Sequence, residues 1–232
     1  MKHSVIALTA FVVIACGLSS DTRINKSIVV EDGAHKSGGL SSVNGSITVG
    51  NEATVDGDCS TVNGKIIVGE NAKVRELSCV NGGIELDRNS KAKEVSCVNG
   101  SIKLGGEVKV DGDVSTVNGS IHCENQSMIA GDLSTVNGDM STEETMIVGD
   151  VRTVNGDIEL LEGSIVKGKV VIDRDNKRPR NKHFKELFIT VDSASKVNGN
   201  IEVKGDDANV TVVLAGGGEV LGEIINAKVI RN

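Results

Sequence analysis

Apolar and polar positions recur along this chain with a short, regular beat. The triplet Val-Asn-Gly starts at Val43, Val62, Val80, Val98, Val117, Val136, Val154 and Val197, and the first six intervals are 19, 18, 18, 19, 19 and 18 residues. Ile24-Asn25-Lys26-Ser27-Ile28 is a degraded copy 19 residues before Val43. Four residues after each lead valine stands Ile47, Ile66, Ile84, Ile102, Ile121, Met140, Ile158 or Ile201, and three residues before it come Cys59, Leu77, Val95, Val114, Leu133 or Val151. A finer period of six runs inside each unit, as in Val62, Val68, Val74, Val80, Leu86, Ala92, Val98, Leu104 and Val110. Periods of six and two, with frequent glycine, exclude a helical solenoid. They predict short strands separated by corners, three to a coil.

Such a pattern predicts an all-β fold, a single-stranded parallel β-helix of triangular section with about 18–19 residues per coil. One coil cannot bury its inward side chains alone; stacking coils about 4.8 Å apart pairs the backbones and closes an aliphatic core. Each buried Val or Ile then contributes roughly 1.5–3 kcal/mol before chain entropy is set against it. Glycine is expected at corners that need positive φ. The general preference for right-handed parallel crossovers favours a right-handed coil. Strict alternation turns the lead valine outward, and the hexad turns it inward; the pattern leaves that phase open.

The recurring asparagines, Asn44, Asn63, Asn81, Asn99, Asn118, Asn137, Asn155 and Asn198, are predicted to share one corner and to hydrogen-bond amide to amide up a column. Thr61, Thr116, Thr135 and Thr153 form a second column, interrupted by Cys79 and Cys97, and ice binding is a remote reading of it. Stacking would put the Cα atoms of Cys79 and Cys97 about 5 Å apart, a separation open to a disulfide, although parallel strands orient their Cβ vectors alike. No C-x-x-C pair suggests a zinc site.

The pattern breaks at 173–186, which holds the only proline, Pro179, and the cations Arg174, Lys177, Arg178, Arg180, Lys182 and Lys185. A loop extruded from the coil explains it, and contact of those six cations with lipid headgroups or envelope polysaccharide is its functional reading. The coil resumes over 187–232, with a polar end from 226 expected to cap the stack.

The first residues differ in kind. Lys2 and His3 precede an apolar run over 5–15, about eleven residues, far short of the ~20 that span a bilayer. The run ends Val13-Ile14-Ala15-Cys16-Gly17 and resembles a bacterial lipobox. That resemblance implies a signal peptide at 1–15, acylation of Cys16, a linker at 16–23, repeats over 24–172, and a cell-envelope location with the membrane as a partner through the N-terminal lipid. Gly17 looks like the outer-membrane sorting class.

Composition narrows the function. There is no Trp or Tyr and only Phe11, Phe184 and Phe188, which excludes aromatic stacking platforms. The 32 acidic against 25 basic residues, net −7, argue against nucleic acid as a partner. The acidic side chains are read as solubilising an edge-rich solenoid.

The hexads, with phrases such as Val110-Asp111-Gly112-Asp113-Val114-Ser115-Thr116-Val117-Asn118-Gly119, resemble the bactofilins and the bacterial β-solenoid adhesins. Resemblance to bactofilins implies a polymer-forming scaffold on a right-handed triangular β-helix, and to adhesins a surface protein that binds glycans or proteins. Neither supplies catalytic residues, and no cofactor is expected. The hexapeptide acyltransferases offer a third comparison, but their histidine base would have to be found among His35, His122 and His183. The leading expectation is a non-enzymatic envelope scaffold, self-associating or bound to envelope protein or polysaccharide.

Overall fold

The computed structural model describes residues 21–174, 185–205 and 209–232. Among these residues there is no helix, and all named strand pairs are parallel. Two faces hold eleven strands each, so the chain makes about ten coils. The first face runs from Asp21–Arg23 to Ile224–Ile225, and the second from Ile28–Val30 to Lys228–Arg231. The third face is made of two-residue strands, from His35–Lys36 to Glu219–Val220. At about 4.8 Å per coil the stack is a rod roughly 50 Å long. Its first strand begins at Asp21, three residues before the expected start of the repeat.

Each coil sends six side chains inward, two from each face. In one coil these are Leu77, Cys79, Ile84, Leu86, Ser90 and Ala92, all at most 3 % exposed. The column Ile47, Ile66, Ile84, Ile102, Ile121, Met140 and Ile158 forms the fully buried spine of the second face. A flat triangular interior of this width fits aliphatic side chains. Its narrowest column, on the third face, takes small residues such as Ala53, Ala72, Ser90, Ser127, Ser164 and Ser195.

The phase of the repeat motif is now settled. The residue before each lead valine points inward: Ser42, Thr61, Cys79, Cys97, Thr116, Thr135 and Thr153 are all at most 2 % exposed. The lead valines are half-buried on the outer surface. The threonine column is therefore core, and ice binding on it is excluded. Burying a hydroxyl is costly unless it is bonded. Here Thr61, Thr116 and Thr135 donate to the carbonyls of Gly45, Gly100 and Gly119 one coil below, at 2.9, 3.0 and 3.2 Å.

Glycine serves a different purpose from the one expected. At the corner between the first and second faces, a Cβ on Gly64, Gly119, Gly138 or Gly156 would lie under 3.0 Å from the carbonyl oxygen of the glycine one coil below. Close stacking of coils, more than positive φ, demands glycine there. The left-handed corner lies between the second and third faces and is built from Glu52, Asn71, Asn89, Glu107, Gln126, Glu144 and Glu162, with φ between 42° and 62°. That conformation aims each N–H along the rod; Glu52 donates to Glu70 O at 2.7 Å and Glu107 to Asn125 O at 2.9 Å. The backbone bond offsets the local strain, which is of order 1 kcal/mol or more for a residue bearing a Cβ.

The segment expected to cap the stack contains a further strand of the second face, Lys228–Arg231, in register with Thr211 to Leu214.

Candidate interaction surfaces

The asparagine column exists, with one member exchanged. Side-chain amides donate from Asn44 to Asn25, Asn63 to Asn44, Asn81 to Asn63, Asn99 to Asn81, Asn118 to Asn99, Asn137 to Asn118 and Asn155 to Asn137, at 2.6 to 3.1 Å. Asn25, from the degraded copy, starts the ladder. Asn198 does not belong to it. It follows the third-face strand Lys196–Val197, and its N–H donates to Val166 O at 2.8 Å. Strands Val170–Asp173 and Leu187–Val191 flank the ladder corner of that coil, and the last Val-Asn-Gly copy falls two corners later, between the third face and the first.

Arg174 takes the place where the ladder stops. Val151 pairs with Val170 and Thr153 with Ile172, so Arg174 lies two residues beyond Ile172 as Asn155 lies two beyond Thr153. It is 4 % exposed. Its guanidinium donates to Val154 O at 3.3 Å and Lys185 O at 3.0 Å. Burial lowers its pKa from the ordinary arginine value. Arg174 is therefore not a surface cation and leaves the predicted anionic-surface set. Lys185 is exposed, with Nζ 3.7 Å from Asp157 Oδ2. Lys177, Arg178, Arg180 and Lys182 lie outside the described residues, as does Cys16.

Acidic residues at the remaining corner have a role that their charge alone did not reveal. Asp113, Asp132 and Asp150 each follow a glycine, and each Oδ1 accepts the backbone N–H of the next coil, from Asp132, Asp150 and Lys169, all at 2.8 Å. The Gly-Asp spacing of 18–19 residues was the signal available in the sequence.

Cys59, Cys79, Cys97 and Cys123 are buried free thiols. Cys79 and Cys97 face each other in register, as expected, but are not bonded. Each instead substitutes for threonine: Cys79 Sγ is 3.2 Å from Gly64 O and Cys97 Sγ 3.8 Å from Gly82 O. Their hydrogen bond to one another pushes the Cys79 thiol up and holds the Cys97 thiol down. Burial pushes the thiols of Cys59 and Cys123 up to about 12.

A cleft of about 680 Å³ on the second face is lined by Glu70, Asp87, Arg88, Lys103, His122 and Glu124 among others. Its charges are largely spent on each other. Lys103 pairs with Glu124 at 2.9 Å, and Arg88 pairs with Glu107. Partial burial, then Glu85 and Glu70, raise the Asp87 carboxyl above its ordinary range. His122 stands between Lys103 and Ser141 in register, so neither adjacent residue on its column is a carboxylate that would orient the ring as a base. Among the described residues no three His, Cys, Asp or Glu side chains converge as a metal site.

Two surfaces remain. The first face carries two uncharged outward columns over six coils, Ser41, Ser60, Ser78, Ser96, Ser115 and Ser134 in one and the lead valines in the next, with Glu76 and Glu94 at its edge. The open C-terminal rung is apolar, with Leu221 66 %, Ile225 37 %, Val229 38 % and Ile230 47 % exposed. Val229 sits in register with Val212, a fully buried core residue, and so marks the exposed end of the core. No protein-family model, curated protein or solved structure matches the chain.

Proposed function

We propose that the protein is a non-enzymatic scaffold of the bacterial cell envelope, tethered through Cys16 and joined end to end to a second copy through its last rung. The open rung is the observation that carries this reading. Its strands Glu219–Val220, Ile224–Ile225 and Lys228–Arg231 each pair on one side only, and the core beneath them ends in exposed Val229. An uncovered sheet edge with apolar side chains is a strong template for another strand. The tether would hold the N-terminal end at the membrane, so the free ends of two rods are the ones that meet. Such a joint, the same rung on both copies, closes at the dimer.

Sedimentation velocity and negative-stain microscopy test the joint. The purified chain is expected to form end-to-end dimers, and Val229→Asp is expected to return it to monomers. A wild-type chain that stays monomeric at every accessible concentration overturns the proposal. Cys16→Ala tests the tether separately, because it should move the protein from the membrane to the soluble fraction.

An adhesin is the second reading, favoured by the serine and valine columns of the first face. Its serine hydroxyls and flat valine column suit the polar and apolar faces of sugars. Glycan-array binding that is lost in Ser96→Glu, with self-association unchanged, would establish it over the scaffold.

A further inference from the structure

The third face carries a sequence of outward residues unlike any other column of the rod. Lys73, Lys91 and Lys109 stack in register on successive coils, and the same column continues with Met128, Met146 and Ile165. The three lysines are exposed, Met128 is 39 % exposed, and Val148 beside the methionines is 36 % exposed. Most other in-register charges are opposite in sign, as Asp173 with Lys204, Glu85 with Lys103 and Lys196 with Glu219; Glu76 opposes Glu94, and there Lys93 pairs with Glu76 at 3.0 Å. Two of the opposite-sign pairs, Asp173 with Lys204 and Lys196 with Glu219, close as ion pairs at 3.2 and 3.0 Å. Lys73, Lys91 and Lys109 have no carboxylate within ion-pair distance among the described residues. In the adjoining column Arg75 pairs with Asp58 and Lys93 with Glu76, while Asp56 and Asp111 flank the lysines without bonding them.

Like charges directly opposite on paired strands destabilise a sheet. Three stacked lysines whose Cα atoms lie about 5 Å apart thus disfavour folding, and no ion pair among the described residues closes on them. The apolar half of the column is equally unexplained by folding, since its side chains point away from the core. Lysines and exposed aliphatic side chains in one flat strip, roughly 25 Å long, complement a surface that is both anionic and apolar at shallow depth. We propose that the third face docks flat on an anionic phospholipid membrane, with Lys73, Lys91 and Lys109 on headgroup phosphates and Met128, Met146 and Val148 reaching the acyl boundary. A purely anionic polysaccharide would use the lysines and leave the methionines idle.

This docking does not rest on the lipid tether, and it is distinct from the basic segment. Arg174 and Lys185, which flank that segment, stand at the corner between the first and second faces, across the triangle from the third. The test therefore uses the full chain carrying Cys16→Ala, with co-sedimentation on phosphatidylglycerol–phosphatidylcholine vesicles and on phosphatidylcholine alone. Binding is expected only to the anionic vesicles, despite the net charge of −7. Adding Lys73→Gln, Lys91→Gln and Lys109→Gln should weaken it by on the order of 100-fold. Met128→Ser with Met146→Ser should weaken it about tenfold and make the remainder fully salt-sensitive. These positions face outward, and an unchanged far-ultraviolet spectrum verifies folding of each variant. The proposal is overturned if the lysine variant binds as the wild type, if deleting 176–183 removes binding instead, or if the wild type binds alginate but not the vesicles.

Discussion

The seven coils that carry the asparagine ladder and the C-terminal coils beyond it solve one problem in two ways. Between Asn25 and Asn155 the corner of the first two faces is tight. A buried Thr donates to the glycine carbonyl below, Asn bonds to Asn, and glycine lets the coils close. Past Arg174 the sequence between the strands of the first and second faces is longer, 174–186 and 205–209. Ile172 and Val203 stand there in the inward column that threonine fills earlier. Cross-coil ion pairs run through both regions, with Lys93–Glu76 at 3.0 Å and Lys103–Glu124 at 2.9 Å among the ladder coils and Lys169–Glu202 at 2.7 Å and Lys204–Asp173 at 3.2 Å beyond them. The difference teaches that a repeat motif is a set of linked contacts. When the corner changes, its members leave together.

Four substitutions test that contrast. The largest effect is expected from Gly119→Val, whose Cβ would meet the Gly100 carbonyl oxygen; it should cost about 3 kcal/mol or prevent folding, measured by urea unfolding. Arg174→Ala comes next. It strands the Val154 and Lys185 carbonyls, so about 2 kcal/mol should be lost, with hydrogen exchange rising chiefly in the C-terminal coils. If exchange rises evenly along the rod, Arg174 does not mark the boundary. Asn118→Ala breaks its bonds to Asn99 and Asn137 and should cost about 1 kcal/mol, whereas Asn198→Ala should be close to neutral in the same assay.

The smallest effect belongs to the ion pairs. The hydrogen bond from Lys169, and its charge, hold the Glu202 carboxyl below its ordinary range. A depressed carboxylate stabilises the fold at neutral pH and loses that contribution as pH falls through its folded value. Glu202→Gln should therefore cost about 0.5 kcal/mol at pH 7 and nothing in strong acid. A difference that persists below the titration range would assign the loss to packing instead.

Much of the architecture was readable along the chain. The 18–19-residue interval, the hexad and the β-branched columns specified stacked coils, and the spacing of Asn44 to Asn155 specified a ladder, because a side chain repeated once per coil must fall above its copy. Legibility failed where a residue's role depends on a neighbour one coil away. Asn198 keeps the motif but not the corner. Arg174 has the look of a surface cation in a basic run, yet is buried by carbonyls eleven and twenty residues away. The corner aspartates resembled solubilising charge until their backbone partners were in view. The lysine column was hidden for the same reason, since Lys73, Lys91 and Lys109 are scattered in sequence and meet only when the coils stack.

By itself, then, the chain's periodicity determined the class of fold, the length of a coil and the inward aliphatic columns. Those follow from local chemistry repeated at a constant interval. The tertiary structure alone decided which outward residues become neighbours, where the ladder ends and which rung is left open. An insertion shifts the register of everything after it by an amount that composition does not encode, and the energy of each corner depends on the coil on which it rests.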